Sequence, residues 1–321
     1  MLGFAPPWRL RRMGVVGMNR RNVRYIAPNN PRSLYPLVDN KLKTKLLCDE
    51  HGIAVPRLLG VCHFQHHLRE LEDFLQPHTS FVIKPAKGSG GKGIVVISSR
   101  QGRNFQKPSG EQITIQAIKQ HTSNTLSGLY SLGGKPDVAL IEEMVQFTDD
   151  FADFSFEGVP DVRVIVYRGY PVMAMMRLST HASDGKANLH QGAVGVGIDL
   201  ASGRALHGVQ HGHPITRHPD TDRQLSDLVV PHWDELLILA ARSYEVTGLG
   251  YIGADIVIDR VRGPLLLELN ARPGLAIQMA NGKGLEPRIK LAEQRANYYH
   301  DNQQESAPDR VRYSTRSIAI L

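Results

Sequence analysis

The chain has 321 residues, of which 41% are hydrophobic and 21% charged, so it is long and apolar enough for about two globular domains and is not a disordered or fibrous protein. Its two cysteines, Cys48 and Cys62, and the lack of any apolar run of about 18 residues exclude a disulfide framework, a cysteine-built metal site and a membrane-spanning helix, and predict a cytoplasmic location. The net charge of +7 is a feature of nucleic-acid-binding proteins, but its position in the chain argues against that class.

The first predicted segment is a basic N-terminal arm, residues 1–38. It contains seven arginines and no lysine, aspartate or glutamate, so it accounts for the whole net charge and leaves the rest of the chain neutral. This neutral body argues against nucleic acid as the main partner. The apolar stretches 1–8 and 13–18 favour docking of the arm over a free tail, either onto the body, an acidic acceptor, a second subunit or a membrane surface.

A helix is predicted from Asn40 to about Glu50, because Asp39 and Asn40 are good N-caps and Gly52 is a stop signal. Its apolar side is predicted to carry leucines 42, 46 and 47. Lysines 41, 43 and 45 lie in its first turns, where the positive end of the helix dipole disfavours cations. They are either solvated or part of an anion-binding site.

A glycine-rich loop, Gly88–Gly93, is predicted between the strands 81–84 and 94–97. It matches G-x-G-x-x-G, but it leads into a strand instead of a helix, which argues against a dinucleotide-binding turn. Such a loop between two strands is typical of a lid over ATP phosphates, with a plain flexible hairpin as the alternative. The chain lacks the H-R-D and D-F-G motifs of a protein kinase.

The remaining pattern predicts an α+β fold with antiparallel sheets, because helices are interspersed with hairpins. The predicted elements are a strand 138–141, a hairpin of 162–167 and 171–177, a helix 233–248 and a final hairpin of 251–258 and 265–270.

The final hairpin predicts two opposed carboxylates. If residues 260–263 form its turn, Asp255 lies opposite Glu268, and Leu266, Glu268 and Asn270 share one face. Opposed like charges are destabilising, and two carboxylates with an amide oxygen suit Mg²⁺ or Mn²⁺ better than zinc. A protonated or solvated carboxylate is the alternative.

Arginines interrupt the middle hairpin, with Arg163 inside its first strand and Arg177 at the end of its second. An arginine in an apolar strand needs a partner or solvent. With the lysines at 41, 84 and 92, the two arginines could hold a phosphoryl group that is being transferred. The alternative is an ion pair with Glu142, Glu143 or Asp161.

Several motifs occur in the order that they have in ATP-grasp ligases. They are D-N-K-L-K-T-K, F-V-I-K-P, G-S-G-G-K-G, E-E-M-V, D-V-R, A-N-L-H-Q-G, G-A-D and L-E-L-N-A-R-P-G-L. Residues 20–285 resemble the ATP-grasp superfamily, specifically RimK-type alpha-L-glutamate ligase-like proteins. Residues 230–275 also resemble ATP-grasp proteins associated with sugar transfer.

The resemblance implies an ATP-grasp fold of two α+β subdomains whose antiparallel sheets grip ATP between them. The expected segments are the arm 1–38, an N-terminal subdomain 39–145 with the glycine-rich lid, a C-terminal subdomain 146–290 with the magnesium site, and a tail 291–321. A full preceding domain, which in relatives contributes to the acceptor side, is expected to be replaced by the arm.

Matched position by position, the resemblance also implies the ATP-binding residues. Lys41 and Lys84 contact the ATP phosphates, and Lys84 also lies near adenine. The phosphate lid consists of Gly88, Ser89, Gly90, Gly91, Lys92 and Gly93, and the adenine-binding hinge consists of Glu142, Glu143, Met144 and Val145. Asp150 is the candidate ribose-binding acid.

For the reacting groups, the resemblance implies that Mg²⁺ or Mn²⁺ is held by Asp255, Glu268 and Asn270. The residues that face the γ-phosphate and the acyl phosphate are Arg163, Arg177 and Asn188. Arg272 stands where relatives have a small residue, which makes it a candidate for recognising a substrate carboxylate.

The implied activity is that of an ATP-dependent carboxylate–amine ligase, which forms an amide through an acyl phosphate. It adds glutamate or another amino acid to an unidentified carboxylate or amine acceptor, and the protein is compatible with a homo-oligomer. The alternatives are an ATP-grasp enzyme that modifies a glycan or cell-envelope acceptor, a non-catalytic nucleotide-binding scaffold, and a nucleic-acid binder that uses the arm.

Overall fold

The computed structural model describes residues 5–88, 90–102, 104–156, 158–300 and 305–321. These residues form two compact units. Unit 1 contains the described residues of Met1–Val38, His51–Ala54 and Phe147–Leu321, and unit 2 contains those of Asp39–Glu50 and Val55–Gln146. The arm is therefore part of the same unit as the C-terminal half of the chain.

The secondary structure alternates short helices with hairpins. The helices are α1 (Pro7–Arg12), α2 (Met18–Arg20), α3 (Ala27–Asn29), α4 (Pro36–Asp39), α5 (Lys41–Glu50), α6 (Leu71–Leu75), α7 (Ile115–Leu126), α8 (Trp233–Thr247), α9 (Ile277–Asn281), α10 (Glu286–His300) and α11 (Ala307–Tyr313). A π-helical turn, Arg21–Ile26, joins α2 to α3, and a second one, Ser314–Ile318, follows α11. Among these helices, none is long and apolar enough to cross a membrane.

The strands belong to three sheets. They are β1 (Leu58–Cys62), β2 (Phe81–Pro85), β3 (Val95–Ile97), β4 (Ser99–Gln101), β5 (Asn104–Gln106), β6 (Gln112–Ile113), β7 (Ala139–Glu142), β8 (Asp161–Tyr167), β9 (Tyr170–Leu178), β10 (Val194–Ile198), β11 (Ala205–Gln210), β12 (His213–Ile215), β13 (Tyr251–Asp259) and β14 (Gly263–Asn270).

Unit 2 contains a four-stranded sheet in the order β1-β7-β2-β3 and a three-stranded sheet in the order β4-β5-β6, all antiparallel. Phe81 and Ile83 of β2 enter one core together with Ile141 of β7 and Ile118 of α7. Since side chains alternate along a strand, Lys84 lies on the opposite face of this sheet.

Unit 1 contains a seven-stranded antiparallel sheet in the order β12-β11-β10-β9-β8-β13-β14. Helix α8 packs against β8, β13 and β14, and α9 packs against β9, β10 and β11. All nine residues of β13 are buried, so this strand lies in the centre of the unit. Gly248 ends α8 with φ 68°, as the sequence predicts.

The predicted α+β class, helices and hairpins are confirmed. Helix α5 begins after Asn40, whose side-chain oxygen accepts hydrogen bonds from the backbone N–H groups of Leu42 and Lys43 at 3.1 and 3.3 Å. Its buried residues are Thr44, Lys45 and Cys48, whereas Leu46 is exposed. The predicted apolar side of this helix is therefore wrong.

The β13–β14 hairpin confirms the predicted register at the carboxylates but reaches it differently. Its turn closes one residue earlier than predicted, on Asp259 and Gly263, and the register shifts between Asp255 and Ile256. The one extra residue in β14 restores the pairing of Asp255 with Glu268. Leu266 pairs with Ile256 and lies on the opposite face from Glu268, so the predicted shared face is wrong for this leucine.

The arm packs against the rest of unit 1, which confirms the prediction of a docked segment and identifies the body of the chain as its partner. Arg20 pairs with Glu286 at 2.6 Å. The buried Asn30 donates from Nδ2 to the carbonyls of Tyr251 and Ala271 at 2.7 and 3.1 Å, and its Oδ1 accepts from the N–H of Tyr251 at 2.9 Å.

Candidate active site

Polar side chains gather on one face of the large sheet of unit 1. Strand pairing places Asp161 opposite Arg177, Arg163 opposite Asp255 and Asp255 opposite Glu268. Opposed residues of neighbouring strands point to the same face. Four adjacent strands, β9, β8, β13 and β14, therefore bring both predicted arginines and both predicted carboxylates together.

Each arginine of this face forms a two-point ion pair. Arg163 donates from Nε and Nη2 to the two carboxylate oxygens of Asp255 at 2.7 and 2.6 Å. Arg177 donates in the same way to Asp161, at 2.5 Å for both bonds, and its Nη2 also lies 2.9 Å from Oδ2 of Asp255. The predicted alternative of an Arg177–Asp161 ion pair is thus confirmed, whereas Arg163 has a partner that was not predicted.

The two aspartates of the cluster differ in pKa. Burial raises the pKa of Asp161 to about 6, although the neighbouring Arg177 acts in the opposite direction. Burial also acts to raise the pKa of Asp255, but the guanidinium groups of Arg163 and Arg177 outweigh it and lower this pKa. Asp255 therefore keeps its negative charge to a lower pH than Asp161 does.

Two further side chains that carry oxygen atoms lie beside Asp255 in the cluster. Asn270 donates from Nδ2 to Oδ2 of Asp255 at 3.2 Å, and the half-buried Glu268 is the cross-strand neighbour of Asp255. Two carboxylates and an amide fit a hard divalent cation by donor type. Within the described part of the chain, no three histidine, cysteine or acidic side chains form a metal site, so such a cation needs further oxygens from a bound molecule.

Unit 2 contains a buried group of two lysines around one glutamate. The Nζ of Lys84 lies 2.7 Å from one carboxylate oxygen of Glu142, and the Nζ of Lys45 lies 3.1 Å from the other. Lys45 also donates to the carbonyl of Pro56. Burial lowers the pKa of Lys45 from 10.5 to about 8, and the carboxylate of Glu142 counteracts only part of this effect.

The glycine-rich loop of unit 2 is fixed at both ends. Lys41 donates from Nζ to the carbonyl of Gly88 at 2.7 Å, and the ring of His121 bonds through Nε2 to the carbonyl of Gly93 at 2.9 Å. Between them, Gly90 and Gly91 have φ values of 62° and 75°, and no atom lies within 4 Å of the place that a Cβ would take at either residue. The predicted Ser89 lies outside the described residues, and Lys92 is exposed.

The other predicted ATP-binding residues follow β7. Glu142 ends this strand, and Glu143 donates its N–H to the carbonyl of Arg57 at 2.9 Å. Met144 is half-buried and Val145 is buried. Asp150, the predicted ribose-binding acid, belongs to unit 1, is exposed and accepts a hydrogen bond from Thr148 at 2.5 Å.

Two predicted substrate-side residues lie in loops of unit 1. Asn188 caps the short helical turn Leu189–Gln191, and its Oδ1 accepts from the N–H of His190 at 3.1 Å. Arg272 is exposed, and its guanidinium lies 5.1 Å from the centre of the Tyr35 ring of the arm. This cation–π contact holds the side chain of Arg272 beside the arm.

A family profile described as sugar-transfer associated ATP-grasp matches residues 20–294. The chain belongs to this ATP-grasp family. Membership confirms the predicted ATP-grasp fold, including the resemblance to sugar-transfer associated members.

Curated relatives of this ATP-grasp protein include two probable alpha-L-glutamate ligases. The one from Aeromonas salmonicida is 23% identical over 251 residues, which are 78% of this chain and 62% of that protein. The one from Syntrophotalea carbinolica is 24% identical over 253 residues, which are 78% of this chain and 61% of that protein. The chain spans about three fifths of the length of these relatives.

Solved structures similar to the ATP-grasp protein include D-alanyl-alanine synthetase A from Vibrio cholerae, with 11% identity and a TM-score of 0.46 over 89% of this chain and 66% of that chain. Another is the ATP-grasp ligase PsnB complexed with minimal precursor, Mg and ADP, with 15% identity and a TM-score of 0.43 over 84% of this chain and 62% of that chain.

The ATP-grasp protein has two site residues that the sequence indicates only weakly. The sequence marks Asp161 only as a possible ion-pair partner and Lys45 only as one of three helix lysines. The spacing of Lys41, Thr44, Lys45 and Cys48 at three and four residues is the signal for a buried helix face. The leucines of the same helix give a stronger and misleading signal.

Proposed function

We propose that this ATP-grasp protein is an ATP-dependent carboxylate–amine ligase. A substrate carboxylate attacks the γ-phosphorus of ATP, the bond to the bridging oxygen breaks, and ADP leaves. An amine then attacks the acyl phosphate, and phosphate leaves as the amide forms with loss of a proton from the amine. This reaction requires no covalent enzyme nucleophile, because position and charge supply the catalysis.

The observation that carries the proposal is the pair of largely buried guanidinium groups on the sheet face of unit 1. Arg163 and Arg177 are 15% and 13% exposed, and both are neutralised by aspartates in the structure. Buried arginines with fixed geometry stabilise the negative charge that a transferring phosphoryl group carries. We assign Arg163, Arg177 and Asn188 to the γ-phosphate and the acyl phosphate.

We assign Asp255, Glu268 and Asn270 as ligands of Mg²⁺ or Mn²⁺, because their oxygen donors are adjacent on the same sheet face. A bound divalent cation would neutralise the phosphate oxygens of ATP. Without a cation, Arg163 and Arg177 supply the positive charge that Asp255 needs. The lowered pKa of Asp255 keeps this ligand ionised.

For ATP itself, we assign phosphate contacts to Lys41, Lys84 and the glycine-rich loop, the adenine contacts to residues 142–145, and the ribose contact to Asp150. Glu142 supports this assignment because it orients the buried ammonium group of Lys84 at 2.7 Å. The open space around Gly90 and Gly91 permits close approach of backbone N–H groups to an anion.

The substrates are proposed from the relatives. The names of the two probable alpha-L-glutamate ligases support glutamate or another amino acid as the amine or carboxylate substrate. A second candidate is a glycan or cell-envelope acceptor, which the description of the matched family favours. In either case, the exposed Arg272 is our candidate for binding a substrate carboxylate.

The test is ADP release by the wild type, by Glu268→Ala and by Glu235→Ala, which removes an exposed carboxylate of α8 as a matched control. Release is measured across a panel of amino acids and di-acids, and product masses are read directly. We expect Glu268→Ala to abolish release, Glu235→Ala to leave it unchanged, and one product to gain the mass of an amino acid minus water. Unchanged release in Glu268→Ala would contradict the proposal, and ATP binding by the wild type without any ADP release across the panel would favour the non-catalytic nucleotide-binding scaffold.

A further inference from the structure

Six of the seven arginines of the arm fall into two groups with different surroundings. In the first group, Arg20 and Arg24 pair with acidic side chains of α10 at 2.6 and 3.3 Å, and Arg21 donates to the carbonyl of Pro273 at 2.7 Å. These three side chains attach the arm to unit 1. The charges of Arg20 and Arg24 are therefore already paired within the protein.

The second group lies on α1 and has no acidic partner among the described residues. Arg9, Arg11 and Arg12 are exposed, and none of them forms an ion pair with a carboxylate in that part of the chain. The residues between and beside them are apolar and exposed as well, since Trp8 is 64% exposed and Met13 is 47% exposed. We name the exposed segment Pro7–Met13 the arginine–tryptophan patch.

The arginine–tryptophan patch rests on a fixed base. Immediately after it, the carbonyl of Gly14 accepts the N–H of Glu286 at 3.0 Å. Val16 exchanges two hydrogen bonds with the side chain of Gln278, at 2.8 and 3.0 Å. The patch is thus presented at one place on unit 1 and does not hang on a long free tail.

We propose that the arginine–tryptophan patch binds the surface of a membrane that contains anionic lipids. Arginines attract lipid phosphates, and a tryptophan with neighbouring leucine and methionine is suited to the boundary between headgroups and acyl chains. Leu10 is 37% exposed in this segment, which contains no acidic residue to repel the lipids.

The apolar residues decide between a membrane and a nucleic acid as the partner. Nucleic-acid binding needs cations along a groove or a basic domain, but the body of this protein is neutral apart from the arm. Three exposed apolar side chains interleaved with arginines gain nothing from contact with a phosphate backbone. At a lipid interface, by contrast, these side chains become buried. Membrane binding by the patch does not depend on the proposed ligase activity.

Each arginine near an anionic membrane surface should increase the binding constant for vesicles about fivefold. Replacing Arg9, Arg11 and Arg12 by glutamine should therefore weaken binding on the order of 100-fold. Trp8→Ser should also weaken binding to vesicles that contain anionic lipids, because it removes an apolar side chain that would be buried in the lipid. The salt dependence of binding should stay unchanged, because no charge is removed.

The experiment is co-sedimentation of the full chain with vesicles of phosphatidylcholine alone or mixed equally with phosphatidylglycerol. The matched control replaces Arg69, Arg204 and Arg316, which are exposed and lie elsewhere, by glutamine, so that the net charge falls equally. Circular dichroism confirms that each variant is folded. Tryptophan emission gives a second readout, because Trp8 is exposed whereas Trp233 is only 8% exposed.

The proposal predicts that the wild type and the control bind the mixed vesicles, that the triple arginine variant does not, and that ATP turnover is unchanged in all three. A blue shift of the tryptophan emission on binding should accompany the wild type and the control. The proposal would be overturned if the wild type bound both kinds of vesicle equally, or if the control variant lost as much vesicle binding as the triple arginine variant. Tighter binding to short DNA or RNA than to the mixed vesicles would also overturn it.

Discussion

Replacing Lys45 with methionine removes a buried ammonium group whose charge opposes the folding of unit 2. Burial lowers the pKa of Lys45 from 10.5 to about 8, so the folded state holds this proton less tightly than the unfolded state. Between pH 8 and 10.5 the unfolded state binds more protons, and the free energy of unfolding of the wild type therefore rises with pH in this window.

The size of this effect follows from the linkage of protonation and folding. From pH 7.5 to 9.5, the release of the proton from folded Lys45 should stabilise the wild type by about 2 kcal/mol relative to Lys45→Met. The variant loses the contacts with Glu142 and Pro56 at every pH, which shifts its stability without changing its slope. The comparison of slopes therefore isolates the charge of Lys45.

The assay is urea unfolding of the wild type and the variant, followed by far-UV circular dichroism and by tryptophan fluorescence. Both tryptophans, Trp8 and Trp233, belong to unit 1, so fluorescence reports only that unit and serves as an internal control. The difference between the proteins should change with pH in the transition of unit 2 and stay constant in the fluorescence transition. Parallel pH profiles of the two proteins in both signals would refute the reasoning.

Three further substitutions test the site and the arm. Arg163→Met should destabilise unit 1 by about 3 kcal/mol in urea unfolding, because Asp255 loses its two-point partner, and adding Asp255→Leu should restore most of this loss. Gly14→Ala should lower the free energy of unfolding, followed by tryptophan fluorescence, by at least about 2 kcal/mol, because φ is 70° and the new Cβ would lie 2.5 Å from a proline ring of α10. The control Gly17→Ala, whose Cβ would have no neighbour within 4 Å, should leave the stability nearly unchanged. Gly93→Ala, whose Cβ would lie 2.5 Å from a tyrosine ring at φ 75°, should weaken ATP binding in titration calorimetry without unfolding unit 1. Equal effects of the two arm variants, full stability of Arg163→Met, or wild-type affinity of Gly93→Ala would each contradict the corresponding argument.

The local elements of this fold could be predicted because their signals lie within short stretches of sequence. The pairing of Asp255 with Glu268 is an example, since both residues belong to one hairpin. The sequence could not reveal the bulge in β14, because an early turn and an extra residue produce the same register at the carboxylates. Their combined effect appears only in the face taken by Leu266.

The contacts that complete the candidate site depend on strand order, which a single sequence does not encode locally. Arg163 and Asp255 are 92 residues apart and meet only because β8 and β13 are neighbours in the sheet. In the same way, Lys45 is a buried partner of Glu142 although leucines dominate the hydrophobic pattern of its helix. Motif order could identify the family, but the charge pairing within the site required the structure.

The distance along the chain between the arm and its partners has a consequence for synthesis on the ribosome. Val16 and Arg20 cannot form their contacts until Gln278 and Glu286 have been synthesised, 262 and 266 residues later. At about 5–20 residues per second, this delay is roughly 10–50 s. All residues of unit 2 are synthesised well before then, so we expect this unit to fold first. Unit 1 should complete its folding last, when the newly synthesised C-terminal helices pack against the N-terminal arm.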